Sequence, residues 1–439
     1  MNKKLTEFID LLKTYVGFKS ISTELDFKDA MIKTAEFLQL YLSSAGFSVQ
    51  LLQGPTTNPV VFASYHQSDE MNTIMVYGHY DVQPASIEKG WKEDPFILRI
   101  EEDRLIGRGV MDNKAQNLMH IFTVIKLIEE KKLNCNVKFL IEGNEETSNP
   151  DMADLVLKYK DLLACDEIIV SDGEVVGNTP SIEETLRGGG NITLTFKTAN
   201  GNVHSGVFGS GIPNSAKEMV LFLGNLMKTD GFVTIPGFYD AVDEISQEKI
   251  ESNIALLEIE NPLDISGAKK MIGEFDFHST VGLRPALEIS GIIGGYTEKD
   301  SYANIIPAET TVKINVRLVA SQTPTAFEEM FRAYVKENVP DHVDYTISMT
   351  KMSPPVKVDI HTERIKKIMV WLEQVYGNKP IVKNVGGGIP IVADFKSILG
   401  VDAILIPLGG NDSNMHGAEE NMRMELIEKG LALSELLFS

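Results

Sequence analysis

The segment Gly78-His79-Tyr80-Asp81-Val82 follows the apolar run Thr73-Ile74-Met75-Val76-Tyr77, so a histidine and an aspartate leave the carboxyl end of a buried strand together. Open α/β sheets hold their ligands at that end. His-x-Asp there suits a metal centre, because one side chain can ligate while the other hydrogen-bonds it into position. Further candidates occupy equivalent places. Glu145 and Glu146 follow the run Val137 to Glu142, Asp172 ends the run Glu167 to Ser171, and His416 lies in the Gly/Asn/Asp-rich loop after Ala403 to Pro407. Asp112, in Gly107-Arg108-Gly109-Val110-Met111-Asp112-Asn113-Lys114, stands where a helix begins, a place that favours a carboxylate. Singly, each has an ordinary reading: a helix cap for Asp112, a solvated acidic loop for Glu145-Glu146, a turn with Gly173 for Asp172, a loop histidine for His416. Together with His79, all are expected to converge on one sheet edge.

Two histidines and three carboxylates form a ligand set suited to zinc, manganese or cobalt. Asp112, Glu146 and Asp172 carry three negative charges, which two divalent ions and one hydroxide balance to zero, whereas a single zinc leaves the set negative. Paired ions roughly 3.5–4 Å apart fit amide hydrolysis, since together they acidify water and polarise the carbonyl. Glu145 is then left over beside a ligand, where an unligated carboxylate serves as general base.

The elements that must position these groups follow from hydrophobic periodicity. Helices are expected near 3–16 and 28–44, strands near 47–52, 60–65 and 73–77, an amphipathic helix from Asn113 to about Lys131, and strands at Val137 to Glu142 and Ile168 to Ser171. This pattern predicts an α/β fold, a helix-covered mixed sheet forming a catalytic domain. From Arg187 the texture changes to half-buried alternating strands at Asn191 to Thr198, Leu287 to Gly291 and Thr310 to Leu318, with a helix near Ser215 to Lys228. After Pro354-Pro355 the α/β texture returns with a helix near Thr362 to Tyr376. The expected organisation is a catalytic domain over 1–186 and 357–439, interrupted by an inserted α+β domain over 187–356.

At 439 residues the chain is long enough for two full cores, with 43% apolar residues, and its formal charge of −21 repels phosphate backbones and anionic lipid. No nucleic-acid or membrane partner is expected. Cys135 and Cys165, without close Cys or His partners, read as reduced core residues of a cytoplasmic protein. Glu7, Asp10 and Lys13 interrupt what a signal-peptide core would require, and no run is long enough to span a bilayer.

The order and spacing of Gly78-His79-Tyr80-Asp81-Val82-Gln83-Pro84, Gly107 to Lys114, Glu142-Gly143-Asn144-Glu145-Glu146, Ser171-Asp172 and the His416 loop resemble the di-zinc metallopeptidases. That family includes aminoacylases, glutamate carboxypeptidases, succinyl-diaminopimelate desuccinylases and cytosolic dipeptidases, and the resemblance is to the dipeptidase branch. It implies that Asp112 bridges two ions, His79 and Asp172 bind one, Glu146 and His416 bind the other, Asp81 orients His79, and Glu145 is the base. It also implies that the inserted domain is a lid that forms a homodimer. His204, in Gly201-Asn202-Val203-His204-Ser205-Gly206, resembles a lid histidine that reaches a neighbouring subunit's site to stabilise the oxyanion. Arg317 stands opposite the inward-facing Val312, Ile314, Val316 and Leu318 of its strand. In the family reading it forks the substrate carboxylate, helped by Asn304 and by backbone N–H groups of the Gly386-Gly387-Gly388-Ile389-Pro390 loop. Many dipeptidase relatives carry serine where this chain has Gly388, and Asn144 replaces a residue that is often acidic or small.

The expected function is metal-dependent hydrolysis of dipeptides or short peptides with a free C-terminal carboxylate. N-acyl amino acid deacylation or desuccinylation at the same site is the alternative, and a non-catalytic binding protein of the same fold is a remote one. The last would be expected to have lost a ligand or the base, yet all are present.

Overall fold

The computed structural model describes residues 3–439. Two compact units emerge: Met1–Glu184 with Val358–Lys383 and Ile391–Ser439, and Thr185–Lys357 with Asn384–Pro390. The short stretch Asn384–Pro390 belongs to the second unit although its neighbours in sequence belong to the first. There the Arg187 N–H donates to the carbonyls of Val385 and Gly387, a pairing that no change of composition announces.

The first unit is built on a mixed sheet. Its order runs Ser48–Leu52, Val60–Tyr65, Asn136–Glu142, Thr73–His79, Glu167–Val170, Ala403–Leu405 and then Ser181–Leu186. The four strands Asn136–Glu142, Thr73–His79, Glu167–Val170 and Ala403–Leu405 are mutually parallel. They read as continuous apolar runs because helices cover the sheet. Helix Lys114–Glu130 lies against Thr73–His79 and against helices Lys3–Val16 and Met424–Phe438. Thirteen of its residues are buried, so it is enclosed on all sides and not amphipathic as its sequence suggested. A helix that central can carry buried polar groups to the ends of the parallel strands.

The second unit is a four-stranded antiparallel sheet in the order Ala286–Gly294, Glu309–Leu318, Gly188–Lys197, Asp344–Met349. Along Glu309–Leu318, Val312, Ile314, Val316 and Leu318 enter a core with Phe196, Phe222 from helix Ser215–Leu226, and Phe327 and Phe331 from helix Pro324–Asn338. The period of two leaves Lys313, Asn315 and Arg317 on the opposite face. Among the described residues no helix is long and apolar enough to cross a membrane.

Candidate active site

Each of the four parallel strands delivers a candidate ligand at or beyond its carboxyl end. His79 is the last residue of its strand and fully buried. Gly78 before it is dictated by a close approach: a Cβ there would lie 2.7 Å from Asn117 Cβ and 2.8 Å from Asn113 Oδ1. Those asparagines use the proximity. Asn117 Nδ2 donates to the His79 carbonyl at 2.6 Å, and Asn113 Nδ2 donates to the Ser171 carbonyl at 2.7 Å and to Asp172 Oδ1 at 3.0 Å. Asp81 is equally economical. Its backbone oxygen and Oδ1 lie 3.0 and 3.4 Å from His79 Nδ1, and its carboxylate accepts the N–H groups of Glu145 and Glu146, each at 3.1 Å. One buried aspartate therefore orients the ring and anchors the glutamate turn.

The five candidate ligands form two groups that share a residue: His79, Asp112 and Asp172, and Asp112, Glu146 and His416. Within each group the candidate ligand atoms lie within 4.8 Å of one another. Asp112 divides its oxygens between them. Oδ1 is 2.9 Å from His79 Nε2 and Oδ2 is 2.8 Å from His416 Nε2; Asp172 lies 3.6 Å from the first ring and Glu146 3.3 Å from the second. The ordinary reading of Asp112 as a helix cap does not apply. Asn113 takes the capping position, and the Asp112 side chain is turned to the two histidines.

These residues fit a pair of metal ions. His79 Nε2 is buried 2.9 Å from Asp112 Oδ1 and 3.6 Å from Asp172 Oδ2, so a ring nitrogen and two carboxylate oxygens converge where a cation belongs. The metal-free electrostatics point the same way. Burial pushes the Asp172 carboxyl up. Burial also raises Asp112, but the His416 hydrogen bond and the adjacent His79 ring outweigh it and hold Asp112 low. Burial alone would lower His79, but Asp172 and its other acidic neighbours raise it well above the usual imidazole range; hydrogen bonding to Asp112 and Glu146 raises His416 to about 10. Protons on both rings thus supply positive charge that ions would otherwise bring. Glu145 belongs to neither group, and burial together with the charges of Asp172, Asp112 and Asp81 pushes its carboxyl well up.

Sequence reasoning missed the pair that ties the two ligand loops together. Glu420 is buried and accepts from Arg108 at 2.6 Å and from the N–H groups of Gly109, Met111 and Asp112 at 2.8–3.0 Å. Arg108 also donates to the carbonyls of His416 and Gly417 at 3.1 and 3.0 Å. Only the position of Glu420 four residues beyond His416 hinted at it. Glu420→Gln is expected to weaken metal affinity by about 10–100-fold, as loss of such outer support does. Metal titration of the purified variant checks this, and wild-type affinity would deny the pair any part in shaping the site.

A family model described as peptidase family M20/M25/M40 matches residues 75–438. The chain belongs to this peptidase family. Human Beta-Ala-His dipeptidase is 29% identical over 442 residues, covering 95% of this chain and 86% of that protein. A Cys-Gly metallodipeptidase of Schizosaccharomyces pombe is 27% identical over 466 residues, covering 99% and 95%. Among solved structures, an M20 family metallo-carboxypeptidase from Sulfolobus solfataricus is 26% identical with a TM-score of 0.88 over 99% of this chain and 98% of that one.

The remaining candidates of this M20 peptidase lie in its second unit. His204 and Asn304 are brought together there: His204 pairs with Ile305 across a short ladder, and the Asn304 carbonyl accepts the Ser205 N–H at 2.9 Å. His204 Nδ1 accepts the Gly206 N–H at 3.0 Å, so the neutral ring carries its proton on Nε2 as a donor. Arg317 is partly buried, whereas Gly387 and Gly388 are exposed. At Gly388 a Cβ would lie 2.4 Å from the Arg187 carbonyl oxygen, so the loop path here has no room for the serine found in many relatives. Asn144 has a structural task, accepting from the Asn58 N–H at 2.7 Å and donating to Thr147 Oγ1 at 2.9 Å.

Proposed function

We propose that this M20 peptidase is a dipeptidase, hydrolysing the amide bond of dipeptides or very short peptides that carry a free C-terminal carboxylate. The observation that carries the reading is Asp112 shared between two three-residue groups, with the unligated Glu145 beside them. His79, Asp112 and Asp172 would hold one ion and Asp112, Glu146 and His416 the other, with zinc the best match to the donor set and manganese or cobalt compatible. When bound, the ions polarise the scissile carbonyl, acidify water, and offset the negative surroundings that push Glu145 up.

The chain's own residues then do the rest. Glu145 takes a proton from the attacking water and returns it to the leaving amine. Asp81 holds the His79 ring and the Glu145-Glu146 turn. His204 presents Nε2–H to the developing oxyanion in a neighbouring subunit of a homodimer, and Asn304 joins Arg317 at the substrate carboxylate. Arg317 receives the substrate carboxylate, together with the N–H groups of Gly387 and Gly388. The free cysteines Cys135 and Cys165 support a cytoplasmic location.

The experiment is amine release by protein loaded with zinc or manganese, from a dipeptide and from the N-acetyl and N-succinyl forms of the same C-terminal amino acid. The dipeptide is expected to be turned over at least tenfold faster in kcat/KM. Preference for an acylated form would move the chemistry to deacylation at the same site.

A further inference from the structure

The turn that carries Glu145 and Glu146 has little packing of its own. The two glutamates are half-buried, Thr147 and Ser148 are exposed, and Ser148 takes a left-handed φ of 56°. A segment with so few buried contacts keeps its place through hydrogen bonds. Asp81 supplies one anchor, through the N–H groups of Glu145 and Glu146. That single edge leaves the turn free to pivot about it, and the groups that stop the pivot flank the two glutamates, at Asn144 and Thr147.

Asn144 is buried and closes the turn across both glutamates. Its carbonyl accepts the N–H groups of Thr147 at 3.2 Å and Asn149 at 3.0 Å, and its Nδ2 donates to Thr147 Oγ1 at 2.9 Å. Its Oδ1 turns to a different segment. It accepts from the Asn58 N–H at 2.7 Å and from Asn58 Nδ2 at 2.8 Å, and the same Nδ2 donates to the Gly143 carbonyl at 3.1 Å. Asn58 is itself held, because segment 53–59, between strands Ser48–Leu52 and Val60–Tyr65, is pinned on either side of it. Asp151 Oδ2 accepts the N–H and the hydroxyl of both Thr56 and Thr57 at 2.7–3.1 Å, and Tyr80 Oη donates to the Pro59 carbonyl at 2.8 Å. Hydrogen bonds to a carboxylate are among the strong ones, so this loop is a fixed point against which Asn144 is set. All of these residues belong to the first unit.

We propose that Asn58 is a positioning residue for the general base: acting through Asn144, it fixes where the Glu145 carboxylate stands. This rests on Glu145 as the base and names the residue that aims it. The Asn58 side chain hydrogen-bonds only Gly143 and Asn144 and reaches no candidate ligand, so it acts through geometry alone. A reacting group misplaced by about 1 Å can cost on the order of 10² in rate.

The test is a double-mutant cycle on zinc-loaded enzyme with the dipeptide L-alanyl-L-alanine, placing Asn58→Ala in the wild type and in Glu145→Gln. Metal content and amide hydrogen exchange of residues 143–149 are measured beside the rates. In the wild type Asn58→Ala is expected to lower kcat about tenfold with KM within about twofold and both ions bound. Exchange across 143–149 should become faster, because the turn has lost its outer anchor. In Glu145→Gln the same change should add less than about a twofold loss, since two residues that act through one group are not additive. A wild-type kcat, equal losses in the two backgrounds, a lost ion, or unchanged exchange at 143–149 overturns the assignment. Thr147→Val removes the hydroxyl that Asn144 Nδ2 reaches and carries the same expectations and the same overturning results, so it decides the matter if Asn58→Ala does not fold. Should Glu145→Gln itself keep the wild-type kcat, the base assignment falls, and exchange at 143–149 alone decides the clamp.

Discussion

Glu145→Gln is expected to reduce kcat by about 10²–10⁴ or more while both ions remain bound, because it removes a proton acceptor without touching a candidate ligand. The substitution is nearly isosteric, and the backbone N–H of residue 145 still reaches Asp81 Oδ1 at 3.1 Å. The turn that carries Glu146 should therefore keep its shape. Metal content per chain, measured by elemental analysis beside the steady-state rate, separates the base from a ligand. Loss of one ion would place Glu145 in the metal set, and an unchanged kcat with both ions bound would remove it from the chemistry.

Asp112→Asn is expected to abolish activity by a different route, through loss of both ions. Asp112 is the residue common to the two groups, with one oxygen on each histidine. Asp172→Asn, by contrast, touches only the group with His79, and should cost one ion while His416, Glu146 and Asp112 retain the other. Isothermal titration with zinc distinguishes these cases by stoichiometry. In the wild type the same titration should release protons. In the metal-free protein His416 titrates near 10, so at neutral pH its ring is charged and must give up a proton to ligate. Apparent affinity is therefore expected to rise with pH through 7 to 9 and to level off as His416 becomes neutral. An affinity that is flat or falls across that window would mean that the ring is not a ligand.

What could be read from residues alone was set by proximity to strand ends. His79, Glu146, Asp172 and His416 each follow an apolar run whose end is obvious, and parallel pairing brings those ends to one edge. Asp112 was placed by the helix after it, but its side chain serves His79 and His416 instead of the helix, because Asn113 takes the cap and Glu420 takes the backbone N–H of Asp112. Glu420 was illegible for a simple reason. A glutamate in a polar loop looks solvated until Arg108, 312 residues away, is folded against it. The second unit's cavity, lined by Met271, Ile272 and Phe275, was hidden too. Helices Gln247–Ile259, Pro262–Ser266 and Phe277–Leu283 bury few residues, so their sequences show little of the apolar periodicity that marks a helix on a core.

The sharing of Asp112 also sets an order of assembly during synthesis. Its contact with His416 spans 304 residues, whereas His79, Asp112 and Asp172 are all synthesised before the second unit has begun. A nascent chain can thus present one complete three-residue group, with its share of Asp112, while the other still lacks its histidine. The first ion could be captured early by the folding α/β core, but the pair waits for the last tenth of the polypeptide, whose arrival through Arg108 and Glu420 closes the loop around the shared carboxylate. The protein would then remain catalytically silent until translation is nearly over, a built-in delay for a hydrolase made among other growing chains.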